Sequence, residues 1–252
     1  PPRSTLFPYT TLFRSLDVPF FLRSVIKSFL ADIQQFVRIA DQKSGILHCD
    51  IGCPQGCVLS PILFSIYTDF IRSTHPNVKI FKYADDMAIV GLLSFKDPDT
   101  SYPFFDAVQT FVDQCASVNP LINASKTKEM VVNFSRTYAI YDYIFISGNP
   151  IERVSSFKYL GTFFDDNLKW QSNTDYIYGK LRQRFYAFSR FKHFRPNKQQ
   201  RDYFIQSLIK PILLYNFELW YNYATDKQKE RLTKPFSQNS FDLDMDFYLE
   251  SC

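Results

Sequence analysis

Asp85 and Asp86 are adjacent carboxylates set between two apolar runs, Ile80-Phe81-Lys82-Tyr83 and Met87-Ala88-Ile89-Val90. The aromatic and β-branched content of these flanks predicts two short strands, which leaves the acidic pair at the turn of a hairpin. Like charges at one turn repel, and desolvating them without a counter-ion is costly. A hard divalent cation such as Mg²⁺ meets that chemistry, because it takes oxygen ligands and needs only one or two carboxylates from the protein. The dipeptide alone also fits a solvated Asp-Asp turn. Other residues must decide between the two.

Three further blocks could do chemistry. Gly52-Cys53-Pro54-Gln55-Gly56-Cys57-Val58-Leu59-Ser60-Pro61 places a neutral amide, Gln55, beside a glycine that allows close backbone approach. As a turn before a buried helix the same block is simply structural. Asn123-Ala124-Ser125-Lys126-Thr127-Lys128 offers Lys126 as a cation for a phosphate or as an ordinary solvated lysine. Phe157-Lys158-Tyr159-Leu160-Gly161 reads as strand and turn, with Leu160-Gly161 at the bend. Cys49, Cys53 and Cys57 are spaced by four, with His48 alongside, but no second Cys/His pair follows at finger or ribbon spacing, so zinc is not expected.

The elements that must position these blocks follow from periodicity. Apolar residues from Phe20 to Arg38 recur at helical spacing, although Phe36-Val37-Arg38-Ile39 could open a strand that resumes after a Lys43-Ser44-Gly45 turn. Ser60-Pro61 predicts a helix start, with Ser60 as N-cap and an apolar helix over 62–71. A second helix is expected over Asp106–Val118, ending near Asn119-Pro120, and a strand over Met130–Phe134. Tyr143–Ile146 and Ile151–Val154 flank the hairpin signal Ser147-Gly148-Asn149-Pro150, and Phe157–Phe164 continues extended. From Asp175 onward the pattern is helical, with breaks expected at Pro196 and Pro211. The sum is an α+β chain: an antiparallel sheet with packed helices, then a smaller helical region.

The chain has 252 residues, 46% of them hydrophobic, enough for one or two packed domains. No apolar run is long enough to span a bilayer, and no secretory signal or disulfide framework accompanies the five cysteines, which favours a reducing compartment. The net charge of +4 is unevenly placed. Lys180, Arg182, Arg184, Arg190, Lys192, Arg195, Lys198 and Arg201 fall in a window from Tyr176 that holds no acid, leaving −4 on the remainder. A solvated face or a polyanion-binding surface would produce this, and the missing acids favour binding.

In this order and spacing the blocks resemble the reverse transcriptase domain of non-LTR retroelements, the LINE-like, jockey-type class, from about Phe20 to Leu232. The resemblance implies a polymerase palm, a small helical thumb and mostly missing fingers. It implies an RNA-directed DNA polymerase acting on an RNA template, a DNA primer and deoxynucleoside triphosphates, with Mg²⁺ as cofactor and Mn²⁺ as a substitute. Asp85 and Asp86 become metal ligands in two-metal phosphoryl transfer. Lys126 joins them as a catalytic residue near the leaving phosphate, and Gln55, Gly56, Tyr83, Ala84, Asn123, Leu160 and Gly161 contact substrate. The eight cations fall where the family has its thumb and would grip nucleic acid independently of sequence. Localisation by resemblance is an intracellular ribonucleoprotein, nuclear or cytoplasmic.

Two features set limits on that reading. Thr5 to Ser15 resembles the translation of a short-read sequencing adapter, so residues 1–15 are read as an artefactual tail. The expected organisation is partial fingers and palm over 16–172, a thumb-like region over 173–235 and a degenerate acidic tail over 236–252. The family also places a catalytic Asp on an upstream strand; Asp17 is the one candidate, and without an aromatic-rich strand around it no role is assigned to it. The expectation is therefore a polymerase fragment that lacks turnover as written. A non-catalytic nucleic-acid-binding remnant and a group II intron maturase-type enzyme are the alternatives.

Overall fold

The computed structural model describes residues 17–49, 53–54, 56–94, 102–117, 122–134, 142–146 and 148–237. The adapter-like segment, Gln55, Asn119-Pro120, Ser147 and most of the acidic tail lie outside these residues. The chain forms two compact units, Pro1–Ile122 and Asn123–Cys252.

In the first unit, helix α1 spans Phe20–Leu30. It is shorter than the periodicity predicts, because Ala31 is extended and Asp32 turns left-handed at φ 51°. Strand β1 (Ile33–Gln35) then pairs antiparallel with β4 (Leu47–Cys49), and between them β2 (Arg38–Ile39) pairs with β3 (Gln42–Lys43). That inner turn falls at Ala40-Asp41, three residues before the expected Lys43-Ser44-Gly45, with Ala40 absorbing the bend at φ 50°. Helix α2 covers Leu59–Tyr67. Ser60 is not its N-cap: Val58 holds that position, and the Ser60 hydroxyl donates to the Pro54 carbonyl at 2.6 Å, tying the preceding loop to the helix. Leu30, Leu63 and Tyr67 bury against one another, with Ile26, Leu59 and Ile66 around them.

Strands β5 (Val78–Tyr83) and β6 (Asp86–Gly91) form the predicted hairpin. Helix α3 runs Tyr102–Ser117 and buries Ala107, Val108, Phe111 and Cys115, spacings that fall on one helical face. Phe111, Cys115 and Ile71 form a core with Ile80, Met87 and Ile89 of the hairpin. Burial also raises the pKa of the Cys115 thiol and of the Tyr67 phenol, the latter with a smaller contribution from Cys115. Gly91 makes this packing close, since a Cβ there would stand 2.3 Å from the Phe104 ring.

The second unit opens with β7 (Lys128–Glu129), which pairs parallel with β10 (Glu152–Arg153). Residues 130–134 carry no regular structure, so the apolar run expected as a strand lacks a ladder partner among the described residues. Strand β8 (Phe145–Ile146) pairs antiparallel with β9 (Asn149–Pro150), and β11 (Ser156–Tyr159) with β12 (Thr162–Asp165). Helix α4 spans Gln171–Lys192 and buries Ile177, Leu181, Phe185 and Phe188. The helical run ends at Lys192, Pro196 lies in the break that follows, and α5 (Lys198–Phe204) starts in a capping box between Asn197 and Gln200. Pro211 does not break the chain. A π turn over Ile205–Ile209, with the Lys210 amide reaching the Ile205 carbonyl, carries the helix into α6 (Lys210–Leu214). Helices α7 (Phe217–Trp220) and α8 (Asp226–Ser237) complete a core in which Leu181, Phe188, Ile209, Leu213, Trp220 and Leu232 are fully buried.

The architecture is α+β, as the sequence predicts. Among the described residues strand pairing is antiparallel save for β7–β10, and it is divided among two-stranded ladders rather than gathered in one sheet. Among the described residues no helix is long and apolar enough to cross a membrane.

Candidate active site

Register assigns the two faces of the β5–β6 hairpin. Val78, Ile80 and Lys82 share the inward face with Met87, Ile89 and Gly91, and four of these six, Val78, Ile80, Met87 and Ile89, pack in the core. Phe81 and Tyr83 stand on the opposite face across from Ala88 and Asp86, and are 51% and 65% exposed. A two-residue turn, Ala84-Asp85, joins the strands, with Ala84 left-handed at φ 51°. A non-glycine residue there is strained by about 1 kcal/mol, a pattern common at functional turns. Asp85 thus sits at the tip and Asp86 beside Tyr83, both exposed.

Lys82, a residue that sequence reading passed over, fixes this hairpin. Its Nζ donates to the carbonyls of Thr68 at 2.8 Å and Ile71 at 3.2 Å, just beyond the C-terminus of α2. A cation there adds a second donor to the Thr68 carbonyl, which also accepts from the Ile71 amide, and complements the helix dipole. The inward parity of Lys82 on an otherwise apolar face was the signal that could have found it.

The donor chemistry of the tip fits a hard cation, being all carboxylate oxygen. Among the described residues no group of three His, Cys, Asp or Glu gathers. Gln55 lies outside the described residues. Gly56 adopts φ 83°, with open space where a Cβ would project, so its turn conformation is what calls for glycine.

Lys126 belongs to the second unit. It lies in a turn organised by Asn123, whose side-chain oxygen accepts from the Lys126 amide at 3.2 Å and the Ser125 hydroxyl at 2.7 Å. The Asn123 carbonyl also accepts from the amide and hydroxyl of Thr127. Lys126 is exposed, whereas neighbouring Lys128 is engaged by Glu152.

The Leu160-Gly161 turn joins β11 to β12 with both residues left-handed, φ 45° and 86°. Tyr215 closes over it. The Tyr215 hydroxyl donates to the Leu160 carbonyl at 2.7 Å, and its ring lies 3.0 Å from the position of a Gly161 Cβ. Asn216 adds a bond from its amide nitrogen to Thr162 Oγ1 at 2.8 Å. These bonds span more than fifty residues, and no local pattern announces them.

All eight cations of the basic window are exposed along α4, its C-terminal loop and α5. The interleaved aromatics divide: Phe185 and Phe188 build the core, while Tyr186 and Phe194 remain 69% and 83% exposed. The Tyr176 pKa is lowered, chiefly by a hydrogen bond from Lys158 and further by the positive charges of Lys158 and Lys180.

Residues 9–164 match the family described as reverse transcriptase (RNA-dependent DNA polymerase), a span that holds the Asp-Asp hairpin, the Asn123 turn and the β11–β12 hairpin up to Phe164. The chain belongs to the reverse transcriptase family. The match opens inside the stretch read as adapter-like. This reverse transcriptase chain is similar to the RNA-directed DNA polymerase from mobile element jockey of Drosophila funebris, 28% identical over 65% of the chain and 18% of the relative. It is also similar to the jockey polymerase of Drosophila melanogaster, 30% identical over 57% of the chain and 16% of that relative. A third relative, the probable RNA-directed DNA polymerase from transposon BS of Drosophila melanogaster, is 24% identical over 78% of the chain and 22% of its own length. These relatives support the LINE-like, non-LTR class. The chain spans about a fifth of the length of the relatives it matches.

Proposed function

We propose that this chain is the palm and thumb portion of a non-LTR retroelement polymerase that extends a DNA primer on an RNA template. The observation that carries the proposal is the hairpin tip, which presents two solvated carboxylates beside exposed Tyr83 and is anchored through Lys82 to the Thr68 and Ile71 carbonyls just beyond α2. Asp85 and Asp86 would hold Mg²⁺, which when bound neutralises phosphate charge in nucleotidyl transfer. Tyr83 and Ala84 would form the floor under the primer end, with Gln55 and Gly56 toward the nucleotide. Lys126 would offer its ammonium to a phosphate, and Leu160-Gly161 would meet the primer backbone. The cations from Lys180 to Arg201 would hold the duplex through its phosphates.

The second reading, a binding remnant without turnover, draws on the count of carboxylates: the described residues bring two to the site, and two metals call for more. We therefore expect this 252-residue chain to bind template–primer without extending it. Primer extension on an RNA template with Mg²⁺, run beside a binding titration, separates the readings. Salt-sensitive binding without extension supports the remnant reading for this chain. Extension that Asp85→Asn abolishes would overturn it in favour of a complete catalytic site. Absence of binding at every ionic strength would overturn the polymerase-fragment assignment itself.

A further inference from the structure

We propose that the acidic segment over residues 241–247 occupies the basic window of α4 and α5 when no nucleic acid is bound, as an intramolecular competitor for that surface. The proposal rests on the nucleic-acid-binding reading above and adds a device that regulates it. The segment reads Phe241-Asp242-Leu243-Asp244-Met245-Asp246-Phe247, a strict alternation of apolar and acidic residues. In an extended chain that alternation sets the three carboxylates on one side, about 7 Å apart, and the apolar groups on the other. Residues 238–252 carry Asp242, Asp244, Asp246 and Glu250 and no cation. The window carries eight cations and no acid, so the two are complementary in charge. Negative charge at short intervals, interleaved with apolar groups, is also what a single nucleic-acid strand presents, so segment and strand call on one surface.

The packing of α8 delivers the segment to that surface. Arg231 pairs with Asp175 and stacks on Tyr178, its guanidinium 4.2 Å from the ring centroid. Farther along α8, Phe236 meets Phe185 edge to face, with 5.0 Å between centroids. Contacts that advance along both helices together make α8 run beside α4 in the same direction, toward the C-terminal half of α4. Arg190 and Lys192 lie about 8 and 11 Å beyond Phe185 at the rise of an α-helix. Asp242 follows Phe236 by six residues, a reach of up to about 20 Å. The carboxylates therefore span the gap to these cations without unwinding α8, which ends at Ser237. The receiving face also offers apolar ground. Arg182, Tyr186 and Arg190 succeed one another at four-residue spacing on one stripe of α4, and Tyr186 and Phe194 are exposed. A tether this short holds the segment at an effective concentration on the order of millimolar, enough for contacts that are individually weak.

The test pairs zero-length crosslinking with binding, both on the full chain. A carbodiimide joins a carboxylate to a lysine amine only where the two touch. Mass spectrometry of the digest is expected to find Asp242, Asp244 or Asp246 joined to Lys192 or Lys198 at low salt, and saturation with an RNA·DNA hybrid to remove those links. In fluorescence anisotropy with the labelled hybrid, the combined variant Asp242→Asn, Asp244→Asn, Asp246→Asn is expected to bind about fivefold tighter at low salt. That gain fades as KCl screens the contacts. The control is Glu218→Gln, Asp226→Asn, Glu230→Gln, which makes the same change in charge at exposed positions of α7 and α8. Links absent from both lysines, or links that persist under saturating hybrid, would overturn the competitor. So would equal tightening in the control, which would make the effect one of net charge. Links formed in a chain that binds no hybrid, with or without its acidic residues, would instead overturn the nucleic-acid reading and leave the contact standing. Tryptophan fluorescence of each variant confirms folding, as Trp170 and Trp220 are both buried in this unit.

Discussion

Gly161 and Gly148 both sit in the left-handed region, at φ 86° and 77°, but only Gly161 has a neighbour where its Cβ would go. Gly148→Ala should therefore cost the backbone strain alone, about 1 kcal/mol. Gly161→Ala incurs the same strain and also drives a methyl against Tyr215 Cε1, Oη and Cζ at 3.0, 3.2 and 3.3 Å. The ring must retreat, and retreat stretches the 2.7 Å bond to the Leu160 carbonyl. Losing that bond adds about 1 kcal/mol, for a total of about 2 kcal/mol. Urea unfolding followed by tryptophan fluorescence reads the effect in the correct unit, because the chain's two tryptophans, Trp170 and Trp220, both lie there. With a urea m-value of about 2 kcal/mol/M, the midpoint should fall by about 1 M for Gly161→Ala and by about half that for Gly148→Ala. Combining Gly161→Ala with Tyr215→Ser should leave only the strain component relative to Tyr215→Ser alone. Equal midpoints for the two alanine variants would refute the assignment of Tyr215 as the group that demands glycine.

Two other outcomes follow from the geometry. Lys82→Met leaves the Thr68 and Ile71 carbonyls without their cation, so amide hydrogen exchange at β5 and β6 should quicken about tenfold, equivalent to roughly 1–2 kcal/mol of local opening; unchanged exchange would remove Lys82 as the anchor. Asp175 is held below the usual carboxylate pKa, first by the Gln171 side chain and then by Arg231. Its stabilising contribution is present above the ordinary value and disappears as pH falls through the depressed one. Arg231→Gln should therefore lower stability at neutral pH and converge with wild type in strong acid, and pH-dependent urea midpoints that stay parallel would contradict this.

What the sequence revealed and what it withheld divide along contact distance. The Asp85-Asp86 hairpin was legible because strand alternation and turn position are local, and α4 because Leu181, Phe185 and Phe188 repeat at helical spacing. The run over 130–134 has strand composition without a ladder, since propensity describes fit to a sheet and not the presence of a neighbour. Pro211 carries the usual helix-breaking signal, yet the π turn before it absorbs the missing amide. Ser60 looks like a cap, but its hydroxyl has a partner six residues back. Lys82 and Tyr215 act across 14 and 55 residues, distances at which side-chain type alone says nothing of the partner.

The hairpin that carries the acidic pair behaves mechanically as a cantilever. Its root is clamped by Ile80, Met87 and Ile89 in the core, and the Lys82 ammonium is the last brace before the free end. Residues 83–86 project beyond that brace into solvent. Compliance grows steeply with unsupported length, so a brace one residue from Tyr83 keeps the overhang to a single tight turn. Lengthening that turn would loosen the carboxylates even if every residue now present were retained, which makes loop length at Ala84-Asp85 as restrictive as residue identity.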